Sequence, residues 1–331
     1  AATDDETAVV LVEQTPEGPS QIVFNLFSSR LETIATRRFA DPAFSTIPPA
    51  SSLTVQVAAL PSGWVVLSRI NSTLTLITLD RLGNVVATKP LELMLGGSSL
   101  SLAYLVSRPG GGPMVAWGSI ENYAAVVSAD GLQVTAPVRL PYNFENVGPT
   151  LPSLAGAAYA AGKFQAILSV NCKLGTGCIE IVSVASDGTI AGTFLAPGVT
   201  ASWGALLESD TDDLRLHYVA ACGADFTDPC LMWARMTPSG TALAAPVVIQ
   251  HAESNVSPIA AVADGVDNYL SFLTTSGSST LVRTGPDGKF IGDPKPFATG
   301  GSAGATIVRQ GSGLVAAWVS LGRIEVALLA P

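Results

Sequence analysis

A segment of about eight apolar residues returns seven times along this chain at intervals of roughly fifty residues, and nothing else in the sequence restricts the fold as strongly. The copies read SQIVFNLF from Ser20, GWVVLSRI from Gly63, PMVAWGSI from Pro113, KFQAILSV from Lys163, DLRLHYVA from Asp213, NYLSFLTT from Asn268 and GLVAAWVS from Gly313. Each is β-branched, aliphatic or aromatic through its middle and starts beside a polar, Gly or Pro turn, which is the pattern of a buried strand. A unit this short cannot cover its own hydrophobic face, so such repeats must stack on one another.

The surroundings of each copy define the repeat. A strand of small and aliphatic residues precedes it: TAVVLVEQ from Thr7, SLTVQVAA from Ser52, SLSLAYLV from Ser99, SLAGAAYA from Ser153, SWGALLES from Ser202, VSPIAAVA from Val256 and AGATIVRQ from Ala303. A third strand follows, as in TLTLITL from Thr73, YAAVVSA from Tyr123, IEIVSVA from Ile179 and RIEVALL from Arg323. Next comes a turn centred on Gly, at Leu82-Gly83, Asp130-Gly131, Asp187-Gly188, Ser239-Gly240 and Asp287-Gly288. Gly supplies the positive φ that a tight hairpin needs, and Asp or Ser before it bonds the local backbone. The fourth strand is looser and carries a Pro near its end (Pro90, Pro137, Pro197, Pro246, Pro294). Pro has no N–H for a ladder, so this strand belongs at a sheet edge.

Four antiparallel strands per repeat, small residues on the first and Pro on the last, resemble the blade of a β-propeller. The resemblance implies an all-β chain, a seven-bladed β-propeller of four-stranded antiparallel blades in a single domain over residues 1–331. The blades run over about 1–50, 51–98, 99–149, 150–199, 200–255, 256–302 and 303–331. The chain has no Trp-Asp repeat ending, no kelch Gly-Gly pair and no sialidase-type Ser-x-Asp-x-Gly-x-Thr-Trp box, so the likeness is to a generic, secreted bacterial-type propeller. Two repeats are irregular. Blade one lacks the Gly turn and has Thr36-Arg37-Arg38 in the equivalent region, and blade seven reads out after its third strand. Six blades with an extra hairpin are the alternative.

Charge excludes some partners. A net charge of −9 with a pI near 4.7 opposes nucleic acid, whose phosphates demand clustered Lys and Arg; Arg30, Arg37 and Arg38 read as a solvated turn. No apolar run approaches the length of a membrane-spanning helix. The chain is 13% charged and 48% hydrophobic, which predicts a neutral surface over a large core. Asn71-Ser72-Thr73 and Asn255-Val256-Ser257 match the glycosylation sequon, a pattern that also arises by chance.

The cysteines carry the compartment. Cys172 and Cys178 flank the loop between the second and third strands of blade four, and Cys222 and Cys230 flank the same loop in blade five. Local disulfides, 172 with 178 and 222 with 230, are the expected pairing of the three possible, with a zinc site as the competitor. Disulfides imply an oxidising setting, namely the extracellular medium, the cell surface or the periplasm. Ala1-Ala2-Thr-Asp-Asp-Glu has the look of a mature N-terminus after leader removal.

No residue set amounts to a reaction centre, and no catalytic residue, metal or cofactor is expected. His217 falls inside a strand and reads as a packed core residue; His251 falls in an inter-blade loop. No nucleophile elbow, phosphate-binding loop or zinc-protease motif occurs. The first strands carry Glu13, Glu208 and Asp264 only at their far ends, which disfavours hydrolysis by paired carboxylates there. Function then belongs to the loops. The second-to-third-strand loops and the inter-blade connections of blades three to six bring Tyr142, Asn143, Phe144 and Glu145, then Trp203, then Asp225, Phe226 and Asp228, and finally His251. Aromatics beside amides and carboxylates suit a carbohydrate or a surface protein partner. The expectation is a non-enzymatic binding propeller; a glycan-active hydrolase or lyase using loop carboxylates, and a structural subunit of a surface assembly, are the alternatives.

Overall fold

Seven antiparallel sheets follow one another along the chain in the computed structural model, which describes residues 1–13, 21–39, 53–70, 72–91, 100, 102–142, 152–171, 177–196, 205–208, 213–222, 228–251, 257–264, 267–273, 278–298, 306–320 and 323–329. The first sheet is β1 (Glu6–Glu13), β2 (Gln21–Ser28) and β3 (Thr33–Phe39). The second is β4 (Leu53–Leu60), β5 (Gly63–Ile70), β6 (Thr73–Asp80) and β7 (Val85–Pro90), and the third is β8 (Leu102–Val106), β9 (Met114–Gly118), β10 (Asn122–Val126) and β11 (Val138–Arg139). The fourth is β12 (Ser153–Ala160), β13 (Lys163–Asn171), β14 (Gly177–Val184) and β15 (Ile190–Leu195). The fifth is β16 (Ala205–Glu208), β17 (Leu214–Cys222), β18 (Asp228–Met236) and β19 (Val247–His251). The sixth is β20 (Ser257–Asp264), β21 (Asp267–Leu273), β22 (Ser279–Thr284) and β23 (Lys295–Ala298), and the seventh is β24 (Thr306–Gln310), β25 (Gly313–Ser320) and β26 (Arg323–Leu329). Strands pair in sequence order in every sheet, and no helix occurs among the described residues. The fold is a seven-bladed β-propeller.

The chain divides into two compact units, one of residues 1–139 with 310–312 and the other of residues 140–309 with 313–331. Within the first, blades one and two pack through Ile22, Phe24, Leu26, Trp64, Val66 and Ile77, and blades two and three through Val65, Leu67, Leu76, Val115 and Trp117. Gln56 joins blade two to blade three: its Nε2 donates to the Ala103 carbonyl at 2.7 Å and its Oε1 accepts from the Leu105 N–H at 2.7 Å. Within the second unit, Ile179, Ile181, Leu216, Tyr218 and Ala234 join blades four and five. Smaller apolar clusters join blade five to six and six to seven. The middle of the second strand is buried as its composition demands: Phe24, Trp117 and Phe272 are at most 1% exposed. Trp318 is only half-buried and meets Phe297 edge-on at 5.9 Å between ring centres.

The Gly turns do more than close hairpins. All five glycines have φ between +75° and +87°, and Asp80, Asp130, Asp187 and Asp287 each accept a hydrogen bond from the backbone N–H two residues on. In blade five Thr237 Oγ1 accepts instead from the Thr241 N–H, four residues on, at 3.0 Å. Each turn for which the neighbour is described also presses on the preceding blade. A Cβ on Gly83 would lie 2.6 Å from Phe24, one on Gly131 2.7 Å from Thr78 and one on Gly288 2.8 Å from Trp233. Thr78 Oγ1 completes the contact by donating to the Gly131 carbonyl at 2.6 Å. Hairpin chemistry alone thus does not explain these glycines; close approach between blades requires them as well.

Two local expectations need correcting. Thr36, Arg37 and Arg38 are not a turn but the centre of β3, where Arg38 pairs with Glu13 at 3.0 Å and Arg37 Nε donates to Asn84 Oδ1 at 3.0 Å. The fourth strands of blades three, five and six begin after Pro137, Pro246 and Pro294 rather than ending near them, so these prolines, with no N–H to donate, stand just outside the ladder.

Candidate functional site

The strand registers bring several of the expected site residues to one end of blades four and five. In blade four Val170 faces Cys178 and Asn171 faces Gly177. In blade five Cys222 faces Asp228, Ala220 faces Cys230, and Cys230 in turn faces His251 on the next strand. Cys222 and Cys230 are therefore diagonal neighbours across the ladder. No described cysteine is a free thiol. Strands β13 and β17 each run nine residues, against eight for β5 and β25. Loop length does not single these blades out, since residues 274–278 of blade six form a connection as long as 172–176 and 223–227. His251 also moves from a loop to the last position of β19. Its backbone gains a ladder partner in Cys230.

Tyr142 is half-buried just beyond β11. Asn143, Phe144, Glu145, Trp203, Asp225 and Phe226, with Cys172, lie outside the described residues, as do the side chains of Cys222, Asp228 and His251. The asparagines of both sequons, Asn71 and Asn255, lie outside them too. His217 is fully buried in β17 opposite Trp233, as a packed core residue should be. Among the described residues, no group of three or more His, Cys, Asp or Glu side chains could hold a metal ion.

The corresponding end of blade three holds a cluster that sequence reasoning missed. Glu121 lies in the turn between β9 and β10, and one of its oxygens accepts from Arg139 Nη2 at 2.8 Å. The other accepts from the Tyr123 hydroxyl at 2.5 Å. That hydrogen bond, with a smaller contribution from burial, pushes the phenol above its usual range, so Tyr123 is held protonated as a donor and is no ready nucleophile. Tyr123 stacks on buried Trp117 at 5.9 Å, which fixes the ring, while Ile120 beside it is 49% exposed. The cluster offers a carboxylate, a guanidinium and an aromatic edge, groups able to bind hydroxyls or amides. Its signal was weak: Glu121 and Tyr123 alternate onto one face, and Arg139 reaches them only through the register Tyr123–Arg139.

A second polar concentration sits at the opposite end of blades five and six. Asp213 accepts from both Arg215 and Arg235. Arg215, which is 2% exposed, reaches across to Asn268 Oδ1 at 2.6 Å. In blade six Asp267 pairs with Arg283, whose guanidinium lies 5.8 Å from the Tyr269 ring centre. Asp213 and Asp267, and likewise Arg235 and Arg283, occupy equivalent places in the two blades, so this is one device used twice. Arg215 alone adds a link from blade five to blade six.

No family model and no curated relative matches the chain. Its likeness is to solved structures, all at low identity. The BP39L lectin from Burkholderia pseudomallei is similar with a TM-score of 0.61 at 11% identity, over 98% of this chain and 92% of that one. The propeller domain of the trilobed protease from Pyrococcus furiosus, described as having an open velcro topology, gives 0.57 at 11% identity over 99% and 92%. Trypanosoma rangeli sialidase in complex with sialic acid gives 0.55 at 11% identity, over 99% of this chain and 59% of that one. At these identities the likeness establishes the propeller fold alone. No helix among the described residues is long and apolar enough to cross a membrane.

Proposed function

We propose that the protein is a secreted, cell-surface or periplasmic binding propeller that recognises a carbohydrate or a protein partner and performs no catalysis. The observation that carries this reading is the position of Cys178 beside the hairpin end of blade four, and of Cys222 and Cys230, diagonal across the ladder, at that of blade five. Bridges 172–178 and 222–230 would staple both hairpins below their tips. A stapled tip loses less conformational freedom on binding, which favours affinity. The sequence at and beside the tips supplies the contact chemistry: Asp225 and Phe226 in the blade-five loop, Asp228 at the start of β18, His251 at the end of β19, and Tyr142, Asn143, Phe144, Glu145 and Trp203 in the inter-blade connections. Aromatic faces stack on sugar rings or anchor a protein, and flanking carboxylates and amides accept or donate to hydroxyls. The oxidising location rests on the same bridges.

A glycan array combined with a protein pull-down tests the reading, using the wild type and Tyr142→Ala, Phe144→Ala, Trp203→Ala and Phe226→Ala. Binding without turnover is expected, weakened in at least two variants whose melting temperature is unchanged. Turnover of a glycan, or binding untouched by all four substitutions, would contradict the assignment.

A further inference from the structure

The interface between blades five and six changes character along its length. Leu231 of β18, Leu270 of β21 and Val282 of β22 form its apolar cluster together with Phe272. Side chains alternate faces along a strand, so residues two places away from these point into the same interface. Toward the end that carries Asp213, those residues are Trp233, Asn268 and Thr284. All three are buried, and the registers draw them into one layer. Asn268 faces Thr284 across the β21–β22 ladder, which makes their side chains direct neighbours. Trp233 packs on the turn that follows Thr284, since a Cβ on Gly288 would lie 2.8 Å from its Cε3. Arg215 Nη1 closes the layer by donating to Asn268 Oδ1 at 2.6 Å.

Each member of the layer keeps one polar atom without a partner: Nε1 of Trp233, Nδ2 of Asn268 and Oγ1 of Thr284. An unmatched buried donor is costly, and three in one layer ask for a guest that accepts from all of them. Trp64 and Trp117 also leave Nε1 unmatched, but each belongs to an apolar cluster. We propose that the interface between blades five and six binds a small inorganic anion of halide size among Trp233, Asn268 and Thr284.

The donor chemistry selects the guest. An indole N–H can only donate, the Asn268 carbonyl is already engaged by Arg215, which leaves its amide N–H groups, and a threonine hydroxyl can turn its proton inward. A water molecule would have to place two protons of its own among these donors. A halide accepts from all three and donates nothing. The guanidinium of Arg215, itself buried beside Asn268, attracts negative charge to the same place. Because the layer takes residues from both blades, the anion binds only when they are packed together, and it stabilises the fold by mass action.

The test follows melting of the full chain as sodium chloride or sodium bromide replaces sodium gluconate at constant ionic strength, so that screening stays equal. The wild-type melting temperature should rise with either halide. Thr284→Val and Trp233→Phe each remove one donor while keeping the shape of the side chain or an aromatic ring, and both should lose most of that rise. In gluconate alone Thr284→Val should be at least as stable as the wild type, because its unmatched hydroxyl is gone. Crystals grown in bromide should show an anomalous peak within hydrogen-bonding distance of Trp233 Nε1 and Asn268 Nδ2. No halide effect on the wild type, or an effect that survives both substitutions, would overturn the proposal. So would bromide peaks confined to other places, which would mean an adventitious ion only, and so would an ordered water in the layer that bromide does not replace.

Discussion

Blades two and three meet through a different chemistry from blades five and six, although all four are built on the same repeat. Between two and three lies a broad apolar layer, with Trp117, Val115, Leu67 and Leu76 buried together and one amide, Gln56, spanning the first strands. Between five and six the buried apolar cluster is Leu231, Leu270, Phe272 and Val282, and the Asp213–Arg215–Asn268 array takes up the end of the contact. The difference teaches that the repeat fixes the strands, whereas the glue between neighbouring sheets is free to vary. Apolar contacts gain stability from burial and tolerate changes of shape. A buried ion pair gains little net stability but is costly to break and demands one geometry.

The comparison can be broken most forcefully at Trp117. Trp117→Ala should cost about 3–5 kcal/mol in urea unfolding of the first unit. Trp117→Phe should cost far less, because the indole Nε1 has no hydrogen-bond partner to lose. On the other side, Asp213→Ala removes the carboxylate shared by two guanidinium groups and should cost about 3 kcal/mol. Replacing Asp213, Arg215 and Arg235 together by apolar residues should cost less than Asp213→Ala alone. If the triple variant is the less stable one, the array contributes more than specificity and the contrast fails.

The Gly turns sharpen the same point at lower energy. Gly162 has φ +73° and open space around it, so Gly162→Ala should cost about 1 kcal/mol through backbone strain alone. Gly131 has nearly the same φ but presses on Thr78 and Leu60 of blade two, and Gly131→Ala should cost clearly more. Equal effects would mean that the turn does not help join the blades.

Acid should have the smallest effect. The carboxyls of Asp130 and Asp187 are held below the ordinary aspartate value, first by hydrogen bonds from Ser128 and Thr189 and then by backbone N–H groups; for Asp287 the Lys289 N–H is the main cause. Each binds its proton less tightly folded than unfolded. Their contribution is therefore complete above the ordinary value of 3.8 and fades as pH falls through the lower folded values. Unfolding midpoints measured from pH 5 downward should drop less in Asp130→Asn than in the wild type.

The blades were legible because apolar period and Gly punctuation are local signals. GWVVLSRI, SLAGAAYA, GLVAAWVS and RIEVALL coincide with β5, β12, β25 and β26 residue for residue. The site was less legible. Arg139 meets Glu121 only across a ladder, and Arg215 meets Asn268 only across two blades; neither relation has a sequence period. The Gly turns were read correctly as hairpins but incompletely, because the press of Gly131 on Thr78 depends on blade stacking.

The proposed binding function depends on disulfides between Cys172 and Cys178 and between Cys222 and Cys230, and peptide mapping under denaturing, non-reducing conditions tests them most directly. Proteolysis of the alkylated protein should yield one peptide pair linked through Cys172 and Cys178, a second linked through Cys222 and Cys230, and no alkylated cysteine. Four alkylated thiols, or a bridge from blade four to blade five, would contradict it.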